Sequence, residues 1–206
     1  MTDLVIDTDI WGLNADPKLI NDIGYFGNDK RYEFNNKAYG VWYHILKLVK
    51  ENPCEYEICE EWKDYNNFYE WYDANYYSVE GEKMDLLKDI FDPYNKEYCP
   101  KMCIFVPYRI TRLLKGSVSK TDLPVGVGKR KDTDMYYSTC AVIRNGKKTT
   151  IRHSGFKTPA EAYKQYLKDR KQYISDVAEA YRYDIPEKLY YALLDWEIDS
   201  QWKKAI

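Results

Sequence analysis

The sequence predicts an α+β protein in which a small three-stranded antiparallel sheet packs on a helix in the C-terminal half. Three observations carry this. Met135 to Arg144 sets Tyr137, Thr139, Ala141 and Ile143 on one face at period two; Asn145-Gly146 is a two-residue hairpin signal, and Lys148 to Arg152 is the return strand. The β-branched Val125-Gly126-Val127 precedes the hairpin and supplies a third strand. Thr158-Pro159-Ala160-Glu161 then gives an N-cap, a proline at N1 and a glutamate at N3. Tyr163, Tyr166, Leu167, Ile174, Val177, Ala178 and Tyr181 continue it as one apolar helical stripe.

The N-terminal half is more helical. Residues 1–35 are polar, punctuated by Gly24, Gly27, Asn28 and Asp29, and predict no regular element. From Lys37 to Glu51, Tyr39, Trp42, Tyr43, Leu46 and Val49 fall at helical spacing, and Asn52-Pro53 ends the helix. A second helix is predicted from Asn66 to Ala74, with Phe68, Trp71 and Tyr72 on its apolar side. Val79 to Met84, containing Gly81, reads as a turn. Leu86 to Val106 reads as an irregular apolar stretch broken by Pro93 and Pro100, and Tyr108 to Leu114 as a short helix. Gly116 to Leu123, rich in Gly, Ser, Thr and Asp, is the linker between domains predicted at 36–115 and 124–206, the latter closing in a helical tail.

Composition narrows the class. With 45% hydrophobic and 31% charged residues in 206, the chain is too apolar to be disordered. No uncharged apolar run approaches the ~20 residues that span a bilayer, so no membrane partner is expected. Met1 to Ile10 carries Asp3, Asp7 and Asp9 and lacks the basic segment of a secretory signal. Five cysteines make no even-numbered disulfide framework, which favours a reducing compartment; a cytoplasmic protein is the expectation.

The net charge of −2 conceals an uneven distribution. Residues 1–100 hold 10 Lys/Arg against 21 Asp/Glu, a net of −11, whereas residues 101–160 hold 13 against 3, a net of +10. Such asymmetry suggests two functional surfaces, or two parts of the fold that attract each other. Lys129, Arg130, Lys131, Arg144, Lys147, Lys148 and Arg152 lie on or beside the predicted strands. A basic sheet of this kind can enter a major groove and reach phosphates and guanine edges, or can simply be solvated.

Tyrosine is abundant, 22 of 206 residues, and crowds a stretch that also holds acids. Glu60, Glu61, Asp64, Tyr69, Tyr72, Asp73 and Tyr76 form an acidic aromatic region. Stacking aromatics that bind bases usually sit beside cations. An acidic set suits a protein partner, part of it serving as core. Cys54/Cys59 and Cys99/Cys103 are separated by four and three residues, wider than structural zinc sites prefer, and His44 and His153 are the only histidines. Buried thiols account for them equally, and no resident cofactor is expected.

Several motifs, in order, resemble a family. Ala38-Tyr39-Gly40-Val41-Trp42, Glu57-Ile58-Cys59-Glu60-Glu61-Trp62, and Tyr98-Cys99-Pro100 through Phe105-Val106-Pro107 resemble the HNH endonucleases encoded in phage genomes. Gly126-Val127, Arg144-Asn145-Gly146-Lys147, Gly155-Phe156 and Thr158 to Ala162 resemble the ethylene-response-factor-type DNA-binding domain that such enzymes often carry. Ile185 to Tyr190 and Trp196-Glu197 resemble their tail.

The resemblance implies a ββα-metal region near the N-terminus, in which one divalent ion, Mg or Mn, holds the scissile phosphate. The family pattern Leu-Asp-Lys-Asp reads here Leu86-Leu87-Lys88-Asp89, losing one acid, while Asn95-Lys96 is kept. Lys101, Met102 and Thr111 stand where an acid, a polar residue and an asparagine belong. A leucine and a thioether offer a hard cation nothing. Two readings follow. In the first the scaffold is kept and the chemistry lost. The chain then acts by binding, either to DNA through the basic sheet or, as an anti-defence inhibitor, to a host nucleic-acid-processing protein through the acidic aromatic region. In the second it is an active metal-dependent endonuclease, with Asp89 as the metal candidate, Asn95 as the base candidate and Lys96 steering phosphate.

Overall fold

The computed structural model describes residues 19–27, 35–115, 119, 121–144 and 146–197. The expectations for Met1 to Ile10, for half of the linker and for Asn145 therefore fall outside the described residues. The fold is α+β, with small sheets and six helices among the described residues. It divides into two compact units, residues 1–77 with 86–105, and residues 78–85 with 106–206.

In the first unit, α1 (Asn36–Glu51) starts at Asn35, whose side-chain oxygen accepts from the Lys37 and Ala38 amides at 2.9 and 3.1 Å. Ala38, Trp42, Ile45 and Leu46 recur at helical spacing and are buried. The Trp42 indole N–H donates to the Trp62 carbonyl at 2.7 Å and ties α1 to α2 (Glu60–Lys63). Helix α3 (Tyr65–Asn75) is capped by Asp64, which accepts from the Asn66 amide at 2.9 Å and from the Gly27 amide at 3.0 Å.

That second bond seats residues 19–27, which sequence periodicity left without structure. Tyr25 donates its amide to the Lys63 carbonyl and accepts the Tyr65 amide. The turn before it holds Asn21 and Asp22 at φ 53° and 62°, the left-handed region that these two residue types tolerate best after glycine. The core is aromatic: Trp62 meets Phe68 edge-on at 5.0 Å, and Trp71 stacks on Phe105 at 5.6 Å.

The stretch read as irregular contains strands too short to show a period. β1 (Glu57–Ile58) pairs in parallel with β3 (Glu97–Tyr98), and β2 (Met84–Leu87) pairs with β4 (Ile104–Pro107). Helix α4 (Tyr108–Leu114) follows β4 directly, at the predicted bounds.

The second unit carries β5 (Val127–Lys129), β6 (Tyr136–Arg144) and β7 (Lys147–Phe156), antiparallel in that order. Gly146 closes the hairpin at φ 71°. β7 is twice as long as the predicted return strand, because nearly all of it is exposed and no apolar alternation marks its length. Helix α5 (Pro159–Ala180) has the predicted capping box, with Thr158 and Glu161 bonding each other's backbone. It packs on β6, and Ser138, Cys140 and Val142 are buried there. The Tyr173 hydroxyl on α5 accepts the Ile143 amide at 2.8 Å. Arg170 donates to the Leu113 carbonyl, and nearly buried Glu82 joins Arg109 at 2.9 Å and the Tyr181 hydroxyl at 2.8 Å. Helix α6 (Glu187–Asp195) ends on Lys171, whose ammonium donates to the Leu194 and Trp196 carbonyls.

A Cβ placed on Gly24 would sit 2.6 Å from Trp42 Cζ2 and would also meet Leu46. Gly24→Ala is expected to lower stability by about 1–3 kcal/mol through overpacking. Urea denaturation followed by tryptophan fluorescence checks this, and an unchanged midpoint would mean that residues 19–27 are not seated on α1.

Candidate nucleic-acid interface

Opposed residues of an antiparallel pair point to the same face. The pairs Tyr137/Ser154, Thr139/Arg152, Ala141/Thr150 and Ile143/Lys148 therefore share the face of β6–β7 opposite to Cys140 and Val142. No carboxylate lies among these eight. Tyr137 faces Gly128 on β5, and its ring lies flat across that glycine, where any Cβ would strike it. The Arg152 guanidinium sits 4.0 Å above the Tyr137 ring. Backbone, ring and guanidinium thus form a stack that fixes the cation without neutralising it.

The β5–β6 turn borders this stack. Lys129, Arg130, Lys131, Asp132, Tyr137, Arg152 and Ser154 line an open concavity of about 520 Å³. Two of its cations are already paired: Lys129 with Asp134 at 2.9 Å, and Arg130 with Asp132 through two bonds of 2.9 and 2.7 Å. Hydrogen bonds from these cations hold Asp132 and Asp134 below the usual carboxylate range. Lys131, Lys147, Lys148 and Arg152 have no carboxylate partner among the described residues. The side chain of Arg144 lies outside them. Of the seven basic residues singled out from sequence, the structure brings Lys129, Arg130, Lys131 and Arg152 to one concavity, with Lys148 further along the same sheet face. Sequence reasoning missed Thr150, Ser154 and the platform role of Tyr137, since each depends on register.

Asp89 and Asn95, matched to a nuclease centre, lie in the first unit. The Asn95 amide donates to the Lys88 and Glu97 carbonyls at 2.7 and 2.8 Å, and its oxygen accepts the Glu97 amide at 3.3 Å. Asn95 is thereby committed to holding its own loop. Lys88 is buried between the rings of Tyr56 and Tyr98, donates to the Asn95 carbonyl at 2.7 Å and stands 3.7 Å from Asp89. Asp89 itself is half exposed.

Cys59 and Cys99 follow the last paired residues of β1 and β3, and Cys103 donates its amide to the Cys99 carbonyl. Burial pushes all three thiols up, away from the thiolate that metals bind. Among the described residues, no three His, Cys, Asp or Glu side chains converge in a way that could hold a metal ion. No described helix is long and apolar enough to cross a membrane.

The acidic aromatic region is partly core. Tyr72 is buried, its hydroxyl pushed up to about 12 by burial, and Asp64 is the α3 cap. Tyr69 and Tyr76 both stack on Tyr72, at 6.5 and 4.9 Å. Glu60, Glu61 and Asp73 are exposed, and Tyr76 borders on exposure at 36%.

Because Asn95 serves two backbone carbonyls, Asn95→Ala is expected to lower stability by about 1–3 kcal/mol. Asn95→Asp should do no better, since a carboxylate cannot donate. Thermal unfolding of both variants measures this, and wild-type stability in both would release Asn95 for chemistry. Compared with protein families, with curated proteins and with solved structures, the chain matches none.

Proposed function

We propose that this chain acts by binding, and that the open face of β5–β7 is a surface for duplex DNA. The observation that carries the reading is the Arg152 guanidinium stacked 4.0 Å above Tyr137 on a face whose paired residues include no carboxylate. Lys148 on the same face and Lys131 at its border add unpaired cations for phosphate. The engagement of Asn95 and Lys88 in their own loop favours binding without cleavage.

Gel shifts with a duplex, run beside a supercoiled-plasmid nicking assay containing Mg or Mn, test this. The expected result is a salt-sensitive shift without nicking, and a loss of affinity of about tenfold or more in Arg152→Ala. Metal-dependent nicking that Asp89→Ala abolishes would establish the endonuclease reading instead.

A second reading has its own observation. Glu60, Glu61 and Asp73 are exposed on α2–α3 close in sequence to Tyr76, a composition suited to the basic nucleic-acid cleft of a host nuclease, in the manner of an anti-defence inhibitor. Retention of a nuclease from host lysate, lost in the Glu60→Lys/Glu61→Lys/Asp73→Lys variant but kept in Arg152→Ala, would support it.

A further inference from the structure

Resting on the DNA-binding reading above, we propose that the sheet distinguishes sequence by contacting thymine 5-methyl groups in the major groove, through Thr139, Ala141, Ile143 and Thr150. The composition of the open face is the starting point. Three of its four cross-strand pairs are Thr139/Arg152, Ala141/Thr150 and Ile143/Lys148. Two of these six residues carry charge, and the other four end in methyl groups. Ile143 is 58% exposed, and Ala141 and Thr150 are also exposed, so the core does not require them to be apolar. The Thr139 hydroxyl donates to the Gly126 carbonyl at 3.4 Å, which leaves its methyl for contact.

Phosphate binding alone would be served by lysine or serine at these places. In the major groove, the apolar group that a base pair offers is the thymine methyl, and alanine and threonine are the residues whose methyls meet it. The repeat distances agree. Outward residues two apart on a strand are separated by about 6.8 Å, close to two base-pair steps of about 3.4 Å each. Arg152 at one end of the patch, held flat by Tyr137, is placed to take acceptors of a neighbouring guanine edge. Lys148 at the other end is placed for phosphate.

The test uses the full chain. A duplex enriched from a random-sequence pool is compared with the same duplex in which every thymine is deoxyuridine, by fluorescence anisotropy. Affinity is expected to fall about fourfold for each methyl contacted, the factor that burying one such group gives. Thr150→Ser should bind the thymine duplex about fourfold more weakly and the deoxyuridine duplex as the wild type does. Equal wild-type affinity for both duplexes, or enrichment of thymine-free sequences, overturns the methyl contact and leaves the DNA-binding reading standing. Failure to retain any duplex even at low salt overturns both.

Discussion

Strand β6 can turn only one of its two faces to helix α5, and Ser138, Cys140 and Val142 make the choice. Their burial commits Tyr137, Thr139, Ala141 and Ile143 to the other side, because a strand's side chains alternate without exception along a regular run. A slip of one residue would bury Tyr137 and expose Cys140. The register of β7 then follows from β6, and with it the placement of Arg152, Thr150 and Lys148. The helix cap at Thr158 matters for the same reason: it fixes where α5 begins relative to the strand that leads into it.

The first unit is organised around a different constraint, the number of rings in its core. Its interior sets many rings beside Ile45, Leu46, Ile58, Ile90 and Ile104, and buried rings with polar edges usually find hydrogen-bond partners, although the Trp62 indole nitrogen has none among the described residues. The Trp42 indole finds the Trp62 carbonyl and the Tyr77 hydroxyl finds the Phe105 carbonyl at 2.8 Å, so that side chains far apart in sequence are aligned by directional bonds as well as by packing. This accounts for much of the tyrosine-rich stretch without recourse to a partner. It leaves the exposed acids of α2 and α3 as the part of that stretch for which packing gives no reason.

The C-terminal unit was legible because its signals are local. A hairpin glycine, period-two alternation and a capping box each act within a few residues, and the structure has each of them. The first unit was less legible because its strands β1 and β3 have two residues each and are joined across some forty positions; no window of periodicity detects such a pair. Charge could be counted from sequence but not apportioned. That Asp132 and Asp134 neutralise Arg130 and Lys129, while Arg152 stays available, depends on a turn and a cross-strand stack. Asn95, which fits the family's pattern, is tied by hydrogen bonds to three backbone groups of its own loop, a role that needs the folded loop to be seen.

The sheet is open at both edges, and the two are guarded differently. β5 ends early, so the far part of β6 has no neighbour on that side, and the Tyr173 hydroxyl takes the Ile143 amide that a further strand would need. Among the described residues β7 has no such plug; what stands on it is positive charge, from Lys147, Lys148 and Arg152. Charged edges keep identical chains from zipping together strand to strand. The cations proposed to meet DNA are therefore also the sheet's protection against its own copies. A bound polyanion that neutralised them would remove that protection, and occupancy and self-association would rise together with protein concentration.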